Sequence, residues 1–195
     1  MRPHPLPLRL WCLLWLALSM LFSNGVYAET WRQHLPQAKM LGGGEFRWWG
    51  FSIYTAKLWQ QTPNKDGGLD QAATYALEIT YSKSISRERF VDSSIEEIIR
   101  LHGNKYNAEK LDTWRQYMEK AFIDVKSGDQ LIGVFLPGLG CRFYSQQKLL
   151  AEIPDEAFAS AFFSIWLDPR TKDTNLRQQL LGPKRSSMAS AGPST

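Results

Sequence analysis

The stretch LGGGEFRWWGFSIYTAKLW, Leu41–Trp59, decides how this chain folds. Three glycines lead into an apolar run that holds a single arginine, Arg47. A phosphate-binding loop would place a helix after the glycines, so that the first helical N–H groups face the anion. Here strand-forming residues follow, and no Gly-Lys-Ser/Thr is present. The glycines are therefore read as a tight turn or a point of close backbone approach. Phe46 to Trp49 and Phe51 to Trp59 read as strands with Gly50 between them. In the second, Phe51, Ile53, Thr55 and Lys57 share one face, and Ser52, Tyr54, Ala56 and Leu58 the other. Mixed character on both faces predicts a strand covered on both sides.

Outward from that core, Trp31 to Met40 reads as an extended entry segment, and Thr62 to Gln71 as a polar loop rich in turn residues. Thr74 to Tyr81 alternates Tyr75, Leu77, Ile79 and Tyr81 with smaller or polar residues, the pattern of a strand. Ser86 caps a helix to Leu101 with an apolar stripe of Phe90, Val91, Ile95, Ile98 and Ile99, ended by Gly103. Asn107 caps a second helix to about Phe122. Gln130 to Leu136, Cys141 to Tyr144 and Leu149 to Ile153, joined by short turns, predict an antiparallel meander. A third helix runs from Pro154–Asp155 to Leu167. Its Phe158, Phe162, Phe163 and Trp166 span an arc wide enough for deep burial. Asp173 or Thr174 caps a last short helix ending at Gly182. Strands and helices come in runs rather than in alternation, which indicates an α+β fold.

The ends are read differently. Arg2 and Arg9 precede an apolar run of about 13 residues, short of the about 20 that a spanning helix needs. Val26-Tyr27-Ala28 then supplies small residues around a cleavage point. Residues 1–28 thus read as a secretory signal peptide, 29–182 as one domain, and 183–195 as a disordered tail without apolar periodicity. The expected location is periplasmic or secreted, with no stable membrane span after cleavage. Two of the net +4 charges leave with the signal, and the remaining Lys and Arg are not clustered, which argues against nucleic acid. Of the two cysteines, Cys12 lies in the signal, so Cys141 stands alone and an internal disulfide is excluded.

Familiar catalytic patterns are missing. His34 and His102 lack metal-ligand spacing, no Cys-x-x-Cys occurs, and no Gly-x-Ser-x-Gly elbow is present. No metal or other cofactor is implied. Cys141 reads as a small buried hydrophobe. Glu96-Glu97 reads as a solvated helix face. From the pattern alone Arg47 points either inward, where its fixed charge would need an acid or an anionic ligand, or outward on an alternating strand.

Four segments, taken in order, carry a resemblance: LGGGEFRWWGFSIYTAKLW, YALEITYSKSISRERFVDSSIEEIIRL, GDQLIGVFLPGLGCRFYS and FASAFFSIWLDPRTKDTNLRQQLLG. Together they resemble the chalcone isomerase-like family, most closely its secreted bacterial branch. The resemblance implies a large antiparallel sheet packed on one face by a layer of helices, an open-faced sandwich with a ligand cleft between them. Plant members cyclise chalcones, and other members bind fatty acids through arginine and tyrosine near the carboxylate. It implies that Arg47 stands for the family arginine after the glycines. Thr55 stands for the threonine that supports a polarising water. The family's tyrosine–asparagine pair is not matched, since Tyr106 and Asn107 have the wrong spacing, and Ile165 stands where the family has a late threonine. Cyclisation needs donors aimed at developing oxyanion charge, and losing one costs about 2.7–4 kcal/mol of barrier. The expectation is a binding protein for a small apolar or amphipathic acid, with Arg47, Thr55 and Tyr81 at the ligand. An isomerase on a chalcone-like substrate, or an interaction domain whose cleft is filled by Phe162, Phe163 and Trp166, are the other readings.

Overall fold

The computed structural model describes residues 30–63, 68–146 and 148–182. The signal peptide and tail expected at 1–28 and 183–195 lie outside the described residues. Six strands form one sheet in chain order: β1 (Lys39–Trp48), β2 (Phe51–Gln60), β3 (Tyr75–Tyr81), β4 (Gln130–Leu136), β5 (Gly140–Ser145) and β6 (Leu149–Ile153). Every neighbouring pair is antiparallel. Between β3 and β4 the chain leaves the sheet for α1 (Arg87–His102) and α2 (Ala108–Ala121), and α3 (Glu156–Leu167) and α4 (Thr174–Leu181) follow β6.

Each of the four helices starts where a short polar side chain caps it. Ser86, Asn107, Asp155 and Asp173 accept from the backbone N–H groups of Arg89, Lys110, Phe158 and Leu176. Such caps satisfy donors that the helix cannot satisfy itself. The helices cover one face of the sheet, and α3 is the most deeply embedded of them. Phe158, Ala159, Ala161, Phe162 and Phe163 are all buried. The Phe163 ring sits so close to β4 that a Cβ on Gly133 would meet its Cζ at 3.0 Å. Phe162 packs edge-on against Phe143 of β5 with ring centroids 5.1 Å apart. These rings fill the β3–β5 half of the interlayer space.

The triple glycine is not a turn, contrary to the reading from sequence. β1 begins at Lys39 and runs through Gly42–Gly44 as continuous strand paired with β2. The alternative reason, close backbone approach, is what the structure shows. A Cβ on Gly42 would overlap the carbonyl oxygens of Gln179 and Leu180, and one on Gly44 would overlap the Gln179 side chain. The backbone of α4 therefore lies directly on β1, where any side chain would hold it off. Nor is the entry segment extended, since Trp31–Gln33 form a 3-10 turn. Trp31 and Leu35 pack with Ala76, Ile132, Val134 and Tyr144 into a small second cluster away from the main core.

β2 departs from the sequence reading in one respect. Ala56 and Leu58 are buried while Thr55 and Lys57 are exposed, so over this stretch only one face is covered. The helices lie on that face alone.

Candidate functional site

At the β1–β3 end of the sheet the aromatic filling stops, and a cavity of about 500 Å³ opens between sheet and helices. Its inner wall is apolar: Phe46 from β1, Ile53 and Tyr54 from β2, Ile79 and Tyr81 from β3, and Phe90 from α1. Ile165 and Trp166 of α3 and Leu176 of α4 close the far side. Exposed residues form the rim, among them Trp48, Lys83, Arg89, Glu96 and Lys172. The size and the mix of an apolar inner wall with a polar and charged rim fit a small-molecule pocket.

Local irregularity in the first hairpin shapes this wall. Phe46 pairs with Tyr54, but the next residue, Arg47, pairs with Ser52, so Ile53 is a bulge. A bulge re-aims side chains, and here the consecutive residues Ile53 and Tyr54 both reach the cavity. On β1 the ordinary alternation holds. Phe46 and Trp48 line the cavity, and Arg47 between them does not.

Two phenols stand among the polar groups of the cavity wall. Tyr54 accepts a hydrogen bond from Trp166 Nε1 at 3.0 Å, tying β2 to α3. Its ring stacks on Phe46 and meets Tyr81 edge-on, with centroids 5.1 and 6.2 Å apart. Tyr81 is buried, and its hydroxyl has no protein partner among the described residues. Burial pushes both phenols well above their ordinary range, so each stays protonated and can donate.

Glu97 is the buried acidic group of the cavity. Arg100 Nε donates to it at 3.0 Å, and Lys172 pairs with its other oxygen. Burial opposes its charge, but the hydrogen bonds from Arg100 and Lys172 hold its carboxyl below the usual range. Arg100 also donates to the Arg170 carbonyl at 3.0 Å. The cluster ties α1 to the segment before α4. Glu97 was read from sequence as solvent-facing. It is only 9% exposed, because the α3–α4 connection, with Lys172, lies across α1.

The three residues expected at the ligand separate. Tyr81 lines the cavity. Arg47 does not. Its side chain is 56% exposed, pairs with Glu45 at 2.7 Å, and donates from Nη2 to the Gly50 carbonyl at 2.6 Å. The inward-pointing alternative for Arg47 is thereby corrected, for the plain reason that its neighbours on either side occupy the inner face. Thr55 is exposed on the outer face of β2, opposite Glu45 and Thr80. Sequence reasoning missed Tyr54, Trp166 and the rim cations Lys83 and Arg89. The alternation of Tyr81 with Lys83 was the signal available for one of them, Lys83.

A second, smaller cavity of about 220 Å³ borders Ser164, Asp168 and Tyr75. Ser164 Oγ lies 2.9 Å from His102 Nε2, the distance of a serine–base pair. The serine proton, however, goes to the Ala161 carbonyl at 2.6 Å. His102 Nε2 must therefore carry its own proton and donate, so it cannot serve as the base for this serine. Cys141 is buried, and burial pushes its thiol up, away from the reactive thiolate. Among the described residues no group of His, Cys, Asp and Glu could hold a metal ion, and no helix is long and apolar enough to cross a membrane.

A sheet of six antiparallel strands with four helices on one face and a cavity at one end defines an α+β protein of the open-faced sandwich class. The chain belongs to the chalcone isomerase-like family, whose sequence profile matches residues 36–182. It is similar to an uncharacterized protein of Haemophilus influenzae, 30% identical over 146 residues, covering 75% of this chain and 69% of that one. Its fold is similar to that of a fatty-acid binding protein of Arabidopsis thaliana. The TM-score is 0.56 at 12% identity, over 74% of this chain and 87% of the other.

Proposed function

We propose that this is a non-catalytic binding member of the family, exported to the periplasm or beyond, whose cavity takes a small amphipathic acid of the fatty-acid type. The observation that carries this reading is a preformed cavity of about 500 Å³ with an apolar inner wall to which the buried Tyr81 belongs. The apolar tail lies against Phe46, Ile79, Phe90 and Ile165, where burial contributes about 25 cal/mol per Å². The carboxylate is held at the Tyr81 end, where Lys83 follows two residues later and Arg89 opens α1. An ionised head is costly to bury without charged partners, so the rim with its cations suits it better than the interior. The likeness to a fatty-acid binding protein supports the same reading. Export is supported by the positive start, short apolar run and small residues of 1–28.

Cyclase chemistry fits poorly. Arg47 and Thr55 face away from the cavity, and Ile165 brings no hydroxyl into it. At these family positions the donors expected for a developing oxyanion are thus absent from the cavity wall.

The test is displacement of a fluorescent fatty acid from the purified mature chain. Tyr81→Phe is expected to weaken binding about tenfold, the loss of a hydrogen bond to a charged group. Ile165→Trp, which fills the cavity, should abolish binding, and Arg47→Ala should leave it unchanged. Equal affinity in wild type and Ile165→Trp would remove the ligand from this cavity.

A further inference from the structure

The tip of the first hairpin carries an unusual surface. Trp48, Trp49 and Phe51 are 59%, 85% and 64% exposed, within four consecutive residues. The other exposed large apolar side chains among the described residues, Met40, Ile99, Ile123 and Leu139, are far apart in the sequence. Trp49 and Gly50 both have positive φ, +50° and +80°, and Trp48 pairs with Phe51 across them. This is the two-residue hairpin turn with left-handed central residues, whose first position ordinarily holds Asn or Asp. An indole there is held in an unfavourable backbone region and projected into solvent. Arg47 braces it, donating to the Gly50 carbonyl while its charge is met by Glu45.

We propose that this tip is a docking surface for an anionic lipid bilayer. Exposed apolar side chains gathered in one place mark an interaction site rather than chance exposure. Their type points to a membrane–water interface, where tryptophan is favoured because its ring is apolar and its N–H is polar. The adjoining charge is complementary to anionic headgroups. Lys83 Nζ sits 5.8 Å from the Phe51 ring centroid, and Arg89 stands on the same rim. Neither is in an ion pair among the described residues. The tip is also continuous with the cavity, since Trp48 and Lys83 belong to both. Docked by this tip, the protein opens its cavity mouth toward the headgroup layer, so an amphiphile passes between bilayer and cavity without crossing bulk water. The docking itself does not depend on what the cavity holds.

The experiment is co-sedimentation of the mature chain with phosphatidylcholine vesicles, with and without phosphatidylglycerol, for wild type, Trp49→Asn and Phe51→Ser. Asn suits the left-handed turn position, so Trp49→Asn removes the indole without risk to the fold. Wild type is expected to bind the anionic vesicles more tightly, with salt weakening the binding. Each variant should lose about tenfold in vesicle affinity, the contribution of one large side chain entering the interface. Fatty-acid displacement by Trp49→Asn in the absence of vesicles should match wild type, which separates failure of the docking from failure of the cavity reading. Equal binding to neutral and anionic vesicles, no binding, or wild-type binding by Trp49→Asn would overturn the proposal. Self-association that Trp49→Asn abolishes, seen by light scattering without vesicle binding, would give the tip to a second copy and likewise overturn it.

Discussion

Trp166 Nε1 donates to the Tyr54 hydroxyl at 3.0 Å, and this bond joins the most deeply buried helix to the second strand at the edge of the cavity. It fixes the distance between the two layers where no side chain fills the gap. Tyr54→Phe leaves the indole N–H without its acceptor. The expected cost is about 1–3 kcal/mol, the price of an unmade buried hydrogen bond. Urea unfolding checks it. An unchanged midpoint would show that water or ligand replaces the phenol.

Gly42 is a packing position. In Gly42→Ala the new methyl meets the carbonyl oxygens of Gln179 and Leu180, which are backbone and cannot rotate away. Overpacking of this kind costs about 1–3 kcal/mol. The loss should appear locally, as faster amide exchange in Thr174–Leu181. Gly43→Ala, where the added Cβ meets the Ala56 carbonyl oxygen no closer than 3.1 Å, should be milder.

The strained tip offers a stabilising change. Trp49→Asn relieves a left-handed conformation that costs a bulky residue about 1–2 kcal/mol, so the melting temperature should rise. A fall would mean that the indole contributes more by contact than its backbone costs.

Acid should weaken the fold through its lowered carboxylates, Asp155 and Asp168 among them. Arg170 hydrogen-bonds Asp168 and holds its carboxyl down to about 2, against an ordinary 3.8. Burial works against the charge of Asp155, but Lys110 at 2.8 Å, the Phe158 N–H and Trp114 Nε1 at 3.0 Å outweigh it, and this group is lowered too. A depressed folded value means that the unfolded chain binds the proton first. The stabilisation is therefore fully present above about pH 4 and is lost as pH falls from 3.8 toward 2. The urea midpoint followed over that range should drop in wild type and fall less steeply in Asp155→Asn and Asp168→Asn.

Much of the scaffold was legible. Ser86, Asn107 and Asp155 announce helix starts because a side-chain oxygen next to an apolar stripe has one local use, capping free N–H groups. Tyr75–Tyr81 announces a strand by its period. The glycine run was misread because local sequence says that a side chain is missing, not what takes its place. The partner, α4, lies more than a hundred residues away. Glu97 was misread for a similar reason, since Lys172 reaches it from beyond α3.

By itself the sequence determined the class of the fold and the order of most of its strands and helices, because these follow from short-range periodicity and caps, and four of its segments carried the resemblance to the family. Only the tertiary structure decided that Arg47 faces solvent and braces a turn, that Tyr54 and Tyr81 share a cavity, and that Trp48, Trp49 and Phe51 stand together at its mouth. The physical reason is that a strand offers two faces, and which one is buried depends on where the helices settle. That choice is made by packing across the whole chain and leaves no mark on any single residue.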